Sequence, residues 1–374
     1  MRKLATIETI SEVLPHNNAD LLELVKVRGW QVVIRKGEFK QGDLVVFCEI
    51  DSWIPNELAP FLSKGNEPRE YEGVKGERLR TIRLRGELSQ GLVLPIPKDW
   101  QYALVQDCPE CGYVEIGGTV MFQLGADVTE LLGIQKWEPP VSAQLSGQTA
   151  GNFPSFIRKT DQERVQNCFN EMSELSASIE GGLDWTIEEK MDGSSCTVYS
   201  YYKHDSNEEP KIGVCSRNFE LKINEENKDN TFIKAVSEDG YLEHLHKLGF
   251  SVALQGEVCG PGIQGNKYKL EKPCFYLFDI YLIILGRYAT RSERWTIINL
   301  LKAKGVNVNQ VPHLGTVKMP SSVSECLLMA EGKSFFNKKQ EREGIVFKTT
   351  VPVNGKVLSF KAISNKFLLK HDES

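Results

Sequence analysis

Lys190 stands between two strand-like runs, and that placement constrains the fold more than any other feature of the chain. Residues 183–187 are largely apolar, Glu188-Glu189-Lys190-Met191-Asp192-Gly193-Ser194-Ser195 follows, and residues 196–202 alternate as a half-buried strand does. A lysine two places ahead of an Asp-Gly, held by strands on both sides, suits an amine that attacks phosphorus. The strand fixes the nucleophile, the glycine lets backbone come close to a phosphate, and the carboxylate is available to a metal. Alone, Lys-x-Asp-Gly is also what a solvated hairpin turn produces, so its companions in the sequence decide between the two.

The 374 residues suggest two or three domains. Hydrophobic and charged fractions of 41% and 25% are those of an ordinary globular protein. No window approaches the roughly 20 apolar residues of a membrane span; the longest apolar stretch, around residues 275–285, is broken by Asp279. The first residues carry no secretory apolar region. Nine cysteines, an odd number lying mostly in apolar segments, predict reduced thiols and a cytoplasmic protein. A net charge of −5 argues against a protein that coats nucleic acid but leaves room for a local basic grip on phosphates.

Residues 1–137 read as β-rich. Short strand-like runs at 25–27, 31–35, 44–50, 79–84 and 92–96 are separated by Gly, Pro, Asn and Asp, which predicts a small barrel or sandwich. Lys75-Gly76-Glu77-Arg78-Leu79-Arg80-Thr81-Ile82-Arg83-Leu84-Arg85 is the most basic window. As one strand it would show Arg78 and Arg80 on one face and Arg83 and Arg85 on the other. Arginine forks phosphate, so these four are the candidate contacts to a nucleic-acid backbone; a solvated strand is the bland alternative. Cys108-Pro109-Glu110-Cys111 looks like half of a zinc knuckle without a second half, and a turn is the expectation. Residues 138–150, rich in Pro, Ser, Gly and Gln, read as a linker. Thr160-Asp161-Gln162-Glu163 reads as a capping box for a helix with Val165, Phe169 and Met172 on one face. Further helices are expected at 239–248 and 291–304, so residues 151–374 read as an α+β domain.

Five segments follow Lys190 in order: Cys215-Ser216-Arg217-Asn218-Phe219, Leu254-Gln255-Gly256-Glu257-Val258, Phe275-Tyr276-Leu277-Phe278-Asp279, Arg342-Glu343-Gly344-Ile345-Val346-Phe347-Lys348, and Leu358-Ser359-Phe360-Lys361-Ala362-Ile363-Ser364-Asn365-Lys366. This series resembles the collinear motifs of the covalent nucleotidyltransferase superfamily of polynucleotide ligases and capping enzymes. Thirteen residues follow Lys361, which leaves no room for the C-terminal OB domain that DNA ligases and capping enzymes carry. The segments Pro15-His16-Asn17-Asn18-Ala19-Asp20-Leu21 to Val27 and Gly42-Asp43-Leu44-Val45-Val46-Phe47 resemble an RNA-binding OB fold instead. The whole is similar to the ATP-dependent RNA ligase family with an N-terminal OB domain. The expected architecture is therefore an OB-like β-barrel followed by an adenylyltransferase domain of antiparallel sheets flanked by helices.

The resemblance implies a role for each position. Lys190 is the nucleophile that takes AMP from ATP. Free lysine has a pKa of about 10.4 and must lose its proton first, so nearby cations or a metal are expected to depress it. Asp192, Glu257 and Glu343 are the expected acids for Mg²⁺ or Mn²⁺, a site completed by water and phosphate. Phe278 is expected on the adenine, Asp279 bracing its loop, Arg217 on the ribose or an RNA 5′-phosphate, and Lys361 on the α-phosphate. Glu188 or Glu189 would accept a bond from the nucleotide; on an extended strand Glu188 shares the face of Lys190. Lys348 and Lys366 are weaker candidates. Ser359 stands where the superfamily often has a lysine, so either the phosphate clamp is one lysine short or Lys348 substitutes. The expected partner is RNA, as a nicked duplex or paired ends, and the expected state is a monomer with no membrane association. The competing readings are a DNA ligase, a GTP-using capping nucleotidyltransferase and a non-catalytic OB-fold RNA-binding protein.

Overall fold

The computed structural model describes residues 2–103, 111–138, 147–203 and 209–372. Cys108 and most of the expected linker lie outside the described residues. The chain forms two compact units, Met1–Pro140 with Leu368–Ser374, and Val141–Phe367.

The first unit is built on a five-stranded sheet in the order Leu92–Pro95, Leu44–Cys48, Ala5–Pro15, Leu22–Val27, Trp30–Arg35. Its long strand changes partner midway: Ala5 to Thr9 pair with Leu44–Cys48, and Ile10 to Pro15 pair with Leu22–Val27 across a register shift. An irregularity there bends a strand and lets one sheet curl toward a barrel. Alternation supplies the two sides. Ile10, Val25, Val27, Trp30, Val32 and Phe47 fill one apolar cluster, which Leu368 also joins, and Leu4, Ile7, Val46, Ile54 and Phe122 fill another.

The basic window is not one strand. Val74–Arg78 belongs to a sheet with Ser52–Pro55, whereas Thr81–Leu84 forms a separate hairpin with Glu87–Gln90. Leu79, buried between them, exchanges backbone hydrogen bonds with Ser52 and Asp51. The hairpin turns on Arg85 and Gly86, with φ of +48° and +97°, the left-handed pair a tight two-residue turn requires. The two-face arrangement expected of the four arginines is therefore corrected. Arg78 faces inward: its guanidinium pairs with Asp51 at 2.6 Å and lies 3.9 Å from the centroid of the Trp137 ring. Arg83 and Arg85 are exposed and Arg80 half-buried.

The second unit holds two sheets. A five-stranded sheet runs Glu163–Arg164, Ser359–Ile363, Gly344–Thr349, Asp184–Lys190, His313–Lys318. One face, with Trp185, Ile187, Ile345, Phe347, Phe360 and Ala362, packs on the helices Val165–Ser178 and Val323–Ala330 through Val165, Cys168, Cys326 and Ala330. A larger sheet has Ser194–Tyr201, Val252–Cys259 and Cys274–Leu282 side by side at its centre. Its core is closed by Thr231–Glu238, Tyr241–His244 and Arg291–Ala303. The Arg291–Ala303 helix begins with a full capping box, Thr290 with Glu293. The box expected at Thr160 is absent. Residues 163–164 pair with Phe360 and Lys361, no side chain caps the helix at its N-cap Arg164, and Glu163 Oε1 accepts from the Arg164 N–H. The predicted helix at 239–248 is a single α turn continued as a 3₁₀ segment.

Candidate active site

The Lys-Met-Asp-Gly turn does not close a hairpin. Asp184–Lys190 lies in the five-stranded sheet and Ser194–Tyr201 in the larger one, so residues 191–193 carry the chain from one sheet to the other. Gly193 is required there by close packing: a Cβ would stand 2.4 Å from Val258 O and 2.8 Å from Glu257 Cγ. The glycine thus admits the neighbouring strand, rather than the phosphate expected from sequence. Gly344 is constrained in the same way by Ala362 O at 2.2 Å, which lets its strand pair Lys190 with Gly344.

Strand register assembles the rest. Ser195 is opposite Glu257, and Val346 is opposite both Glu188 and Lys361. Alternation then puts Glu188, Lys190, Lys348, Ser359 and Lys361 on one face of the five-stranded sheet, away from the helices. Lys190 Nζ lies 2.7 Å from Glu343 Oε1, with 28% and 17% of the two side chains exposed. Burial pulls the Lys190 amine down, but the carboxylates of Glu343, Glu257 and Asp192 outweigh it and hold the amine above its ordinary range. This reverses the expected depression, because the nearest charges are acids. Glu257 is pushed up to about 8, by burial first and then by Glu343 and Asp192, against the pull of Lys190 and of a bond from the Gly193 N–H. Burial also raises Glu343, opposed by Lys190 and by Lys361. Lys361 pairs with Asp161 at 3.2 Å.

A second cluster lies on the same face. Lys348 Nζ donates to Phe278 O at 2.6 Å and to Asp279 Oδ1 at 2.8 Å, and lies 2.9 Å from Glu188 Oε2. Arg294 Nη1 donates to Glu188 Oε1 at 2.6 Å. Phe278 sits where the strand pairing slips: Gln255 faces Asp279 while Gly256 faces Leu277, so Phe278 is the extra residue of a bulge. Lys348 is thus held by buried Glu188 and half-buried Asp279, opposite Ser359 in register, and does not fill the gap at Ser359. Glu189 points to the helix side, buried, with Oε2 accepting from the Phe335 N–H at 2.8 Å. Arg217 is exposed between two strands, and Lys366 pairs with Glu331 at the surface.

Sequence reasoning missed Arg294, Asp161, Lys267 and Tyr268. Tyr268 Oη accepts from the Asp192 N–H at 2.6 Å, and Lys267 pairs with the Asp192 carboxylate. None of the four stands beside the residue it serves, and none had a local signal beyond its charge or hydroxyl.

A family model described as RNA ligase matches residues 183–363, and an OB-fold domain model matches residues 4–96. No curated protein sequence matches the chain. Among solved structures, Naegleria gruberi RNA ligase with PPi is 44% identical, with a TM-score of 0.82 and 100% of each chain covered. A substituted form of that ligase with AMP and Mn gives 44% and 0.83, and another with ATP and Mn gives 44% and 0.82, again over 100% of both chains. With that identity sustained from end to end, and with an OB-fold domain ahead of a sheet-rich ligase domain, the chain belongs to the RNA ligase family.

Proposed function

We propose that this ligase uses ATP and a divalent ion, Mg²⁺ or Mn²⁺, carries AMP on Lys190, and joins RNA 3′-OH and 5′-phosphate ends at nicks in duplexes. The observation that carries the reading is the convergence on Lys190 of Glu343, Glu257 and Asp192, drawn from the residue just before one strand, from within another and from the turn after Lys190. The relative's structures with ATP, AMP, PPi and Mn support it.

The acids fit a dication. A carboxyl raised to about 8 by burial and by two neighbouring acids marks excess negative charge that a divalent ion relieves. Among the described residues no group of three His, Cys, Asp or Glu stands ready to hold an ion, so water and phosphate oxygens would complete the shell. When bound, the ion supplies charge neutralisation at the α-phosphate and offsets the acids that keep Lys190 protonated.

Lys190 then attacks the α-phosphorus: an N–P bond forms, the bond to the β-phosphate oxygen breaks, and pyrophosphate leaves. An RNA 5′-phosphate oxygen next displaces the lysine, and an RNA 3′-OH displaces AMP. Each step is phosphoryl transfer, governed by positioning and charge. In this reading Lys361 steadies the α-phosphate, Phe278 stacks on adenine from its bulge, and Arg217 meets the ribose or the 5′-phosphate. Glu188, tied to Lys348 and Arg294, holds that floor. Arg83 and Arg85 meet the RNA backbone.

The test is incubation with α-labelled ATP or GTP and magnesium, followed by a denaturing gel and a panel of nicked duplexes. Label from ATP in the wild type and none in Lys190→Ala is expected. Label that survives this substitution, or sealing confined to DNA, overturns the reading.

A further inference from the structure

Residues 263–270 contribute to none of the motif segments, yet they are shaped around one of them. Gln264, Asn266 and Lys269 have φ of +44°, +49° and +56°, in the left-handed region that residues with a Cβ rarely adopt. Such strain persists only where surrounding bonds over-determine it. Here Asn266 exchanges two bonds with Leu270, at 2.9 and 3.0 Å, and Asn337 Nδ2 donates to Lys267 O at 2.8 Å. Tyr268 is buried against Phe336. Two adjacent side chains of the loop both reach Asp192: the Tyr268 hydroxyl accepts from its N–H, and the Lys267 ammonium donates to its carboxylate.

We propose that Lys267 is a built-in counter-cation of Asp192, which positions that carboxylate and competes with the divalent ion for it. The inference rests on the assignment of Asp192 to the metal. An ammonium on Oδ2 occupies an oxygen that an inner- or outer-sphere ion needs, so ion and lysine exclude each other there. The displaced ammonium has somewhere to go, since Nζ already lies 5.1 Å from the centroid of the Phe367 ring. Lys190 and Lys267 thus divide the acids between them, Lys190 on Glu343 and Lys267 on Asp192.

The test is Mn²⁺ binding to the full-length, nucleotide-free protein, read from the spin-resonance signal of the free ion. Asp192→Asn should weaken binding. Lys267→Met and Lys267→Gln should each tighten it, by roughly tenfold, the equivalent of about 1.4 kcal/mol. Lys267→Arg, which keeps the charge, and Lys269→Met, which removes an exposed charge from the same loop, should stay within about twofold of wild type. If Lys269→Met tightens binding as much, the effect is a general field and the counter-cation is refuted. Unchanged or weaker binding in folded Lys267→Met and Lys267→Gln, with Asp192→Asn still defective, overturns this inference alone. Wild-type binding in Asp192→Asn overturns the metal assignment and this inference together.

Discussion

Lys190 and Lys348 leave the same face of the same sheet from adjacent strands, and they meet opposite surroundings. Lys348 Nζ donates to Phe278 O and Asp279 Oδ1 and forms an ion pair with Glu188 Oε2, and 7% of its side chain is exposed. Lys190 has one carboxylate within ion-pair distance among the described residues, and its side chain is 28% exposed. A buried ammonium tied to a carbonyl and two carboxylates is a structural element. An amine with a single close partner, at the open junction of two sheets, retains a direction for attack. The difference separates a lysine suited to chemistry from one suited to holding the bulge beneath Phe278.

The contrast breaks if the two lysines respond alike to removal. Lys190→Ala should abolish adenylyl labelling, a loss of at least ~10³-fold as for removal of other covalent nucleophiles, while its unfolding midpoint in urea moves little. Lys348→Met should do the reverse first. It leaves buried Glu188 and half-buried Asp279 beside one remaining cation, Arg294, and breaking a buried pair from one side costs roughly 3–5 kcal/mol. Urea unfolding measures the loss, and Glu188→Gln added to Lys348→Met should restore part of it. Additive losses in that double-mutant cycle would mean the two side chains do not act together.

How far this contrast was legible in the sequence depended on distance along the chain. The strands flanking Lys190 follow from apolar runs and alternation, which are local, and the order of the motif segments places Glu257, Glu343 and Lys361 in one domain. That Glu188 and not Glu189 shares the face of Lys190 follows from the two-residue period of a strand. The charges that complete the picture are not local. Arg294 is 106 residues from Glu188 and Lys267 is 75 from Asp192. Each sits in sequence that reads as a surface helix or a polar loop. The depressed Lys190 was misjudged for a related reason: the sequence shows which charged groups are present, but burial sets how strongly each acts. The failed capping box has a different origin. Residues 163–164 are taken up by pairing with Phe360 and Lys361, and tertiary pairing overrode a local preference.

A smaller effect sharpens the acid side of the pocket. The folded-state pKa of Glu257 is raised to about 8 from an ordinary 4.5. The stability it contributes is therefore fully present below about pH 4.5 and is lost as pH rises through 8. In metal-free buffer Glu257→Gln should match wild type near pH 5 and exceed it near pH 9, measured by urea unfolding at both values. Added Mn²⁺ should narrow the gap at high pH by stabilising the ionised wild type. A gap that does not change with pH would remove the raised carboxyl from the account and leave Lys190 among ordinary acids.

The smallest effects belong to the other unit, where cations lie in the open. Arg83 lies just before the hairpin turn and Arg85 within it, both exposed, and Arg83 Nη1 donates to Gly86 O at 2.7 Å. Replacing both with alanine should leave labelling by ATP intact, weaken RNA binding a few-fold, and lower the salt dependence of binding by roughly one to two counter-ions. Arg78→Ala should behave differently, because its guanidinium serves Asp51 and Trp137: stability falls by about 1 kcal/mol or more, and the salt slope stays put. Binding to a labelled duplex at several salt concentrations reads both. If Arg78→Ala lowers the slope as much as the hairpin pair does, burial and pairing do not sort structural from RNA-facing arginines in this unit. The distinction drawn between Lys348 and Lys190 would then hold only where a sheet enforces it.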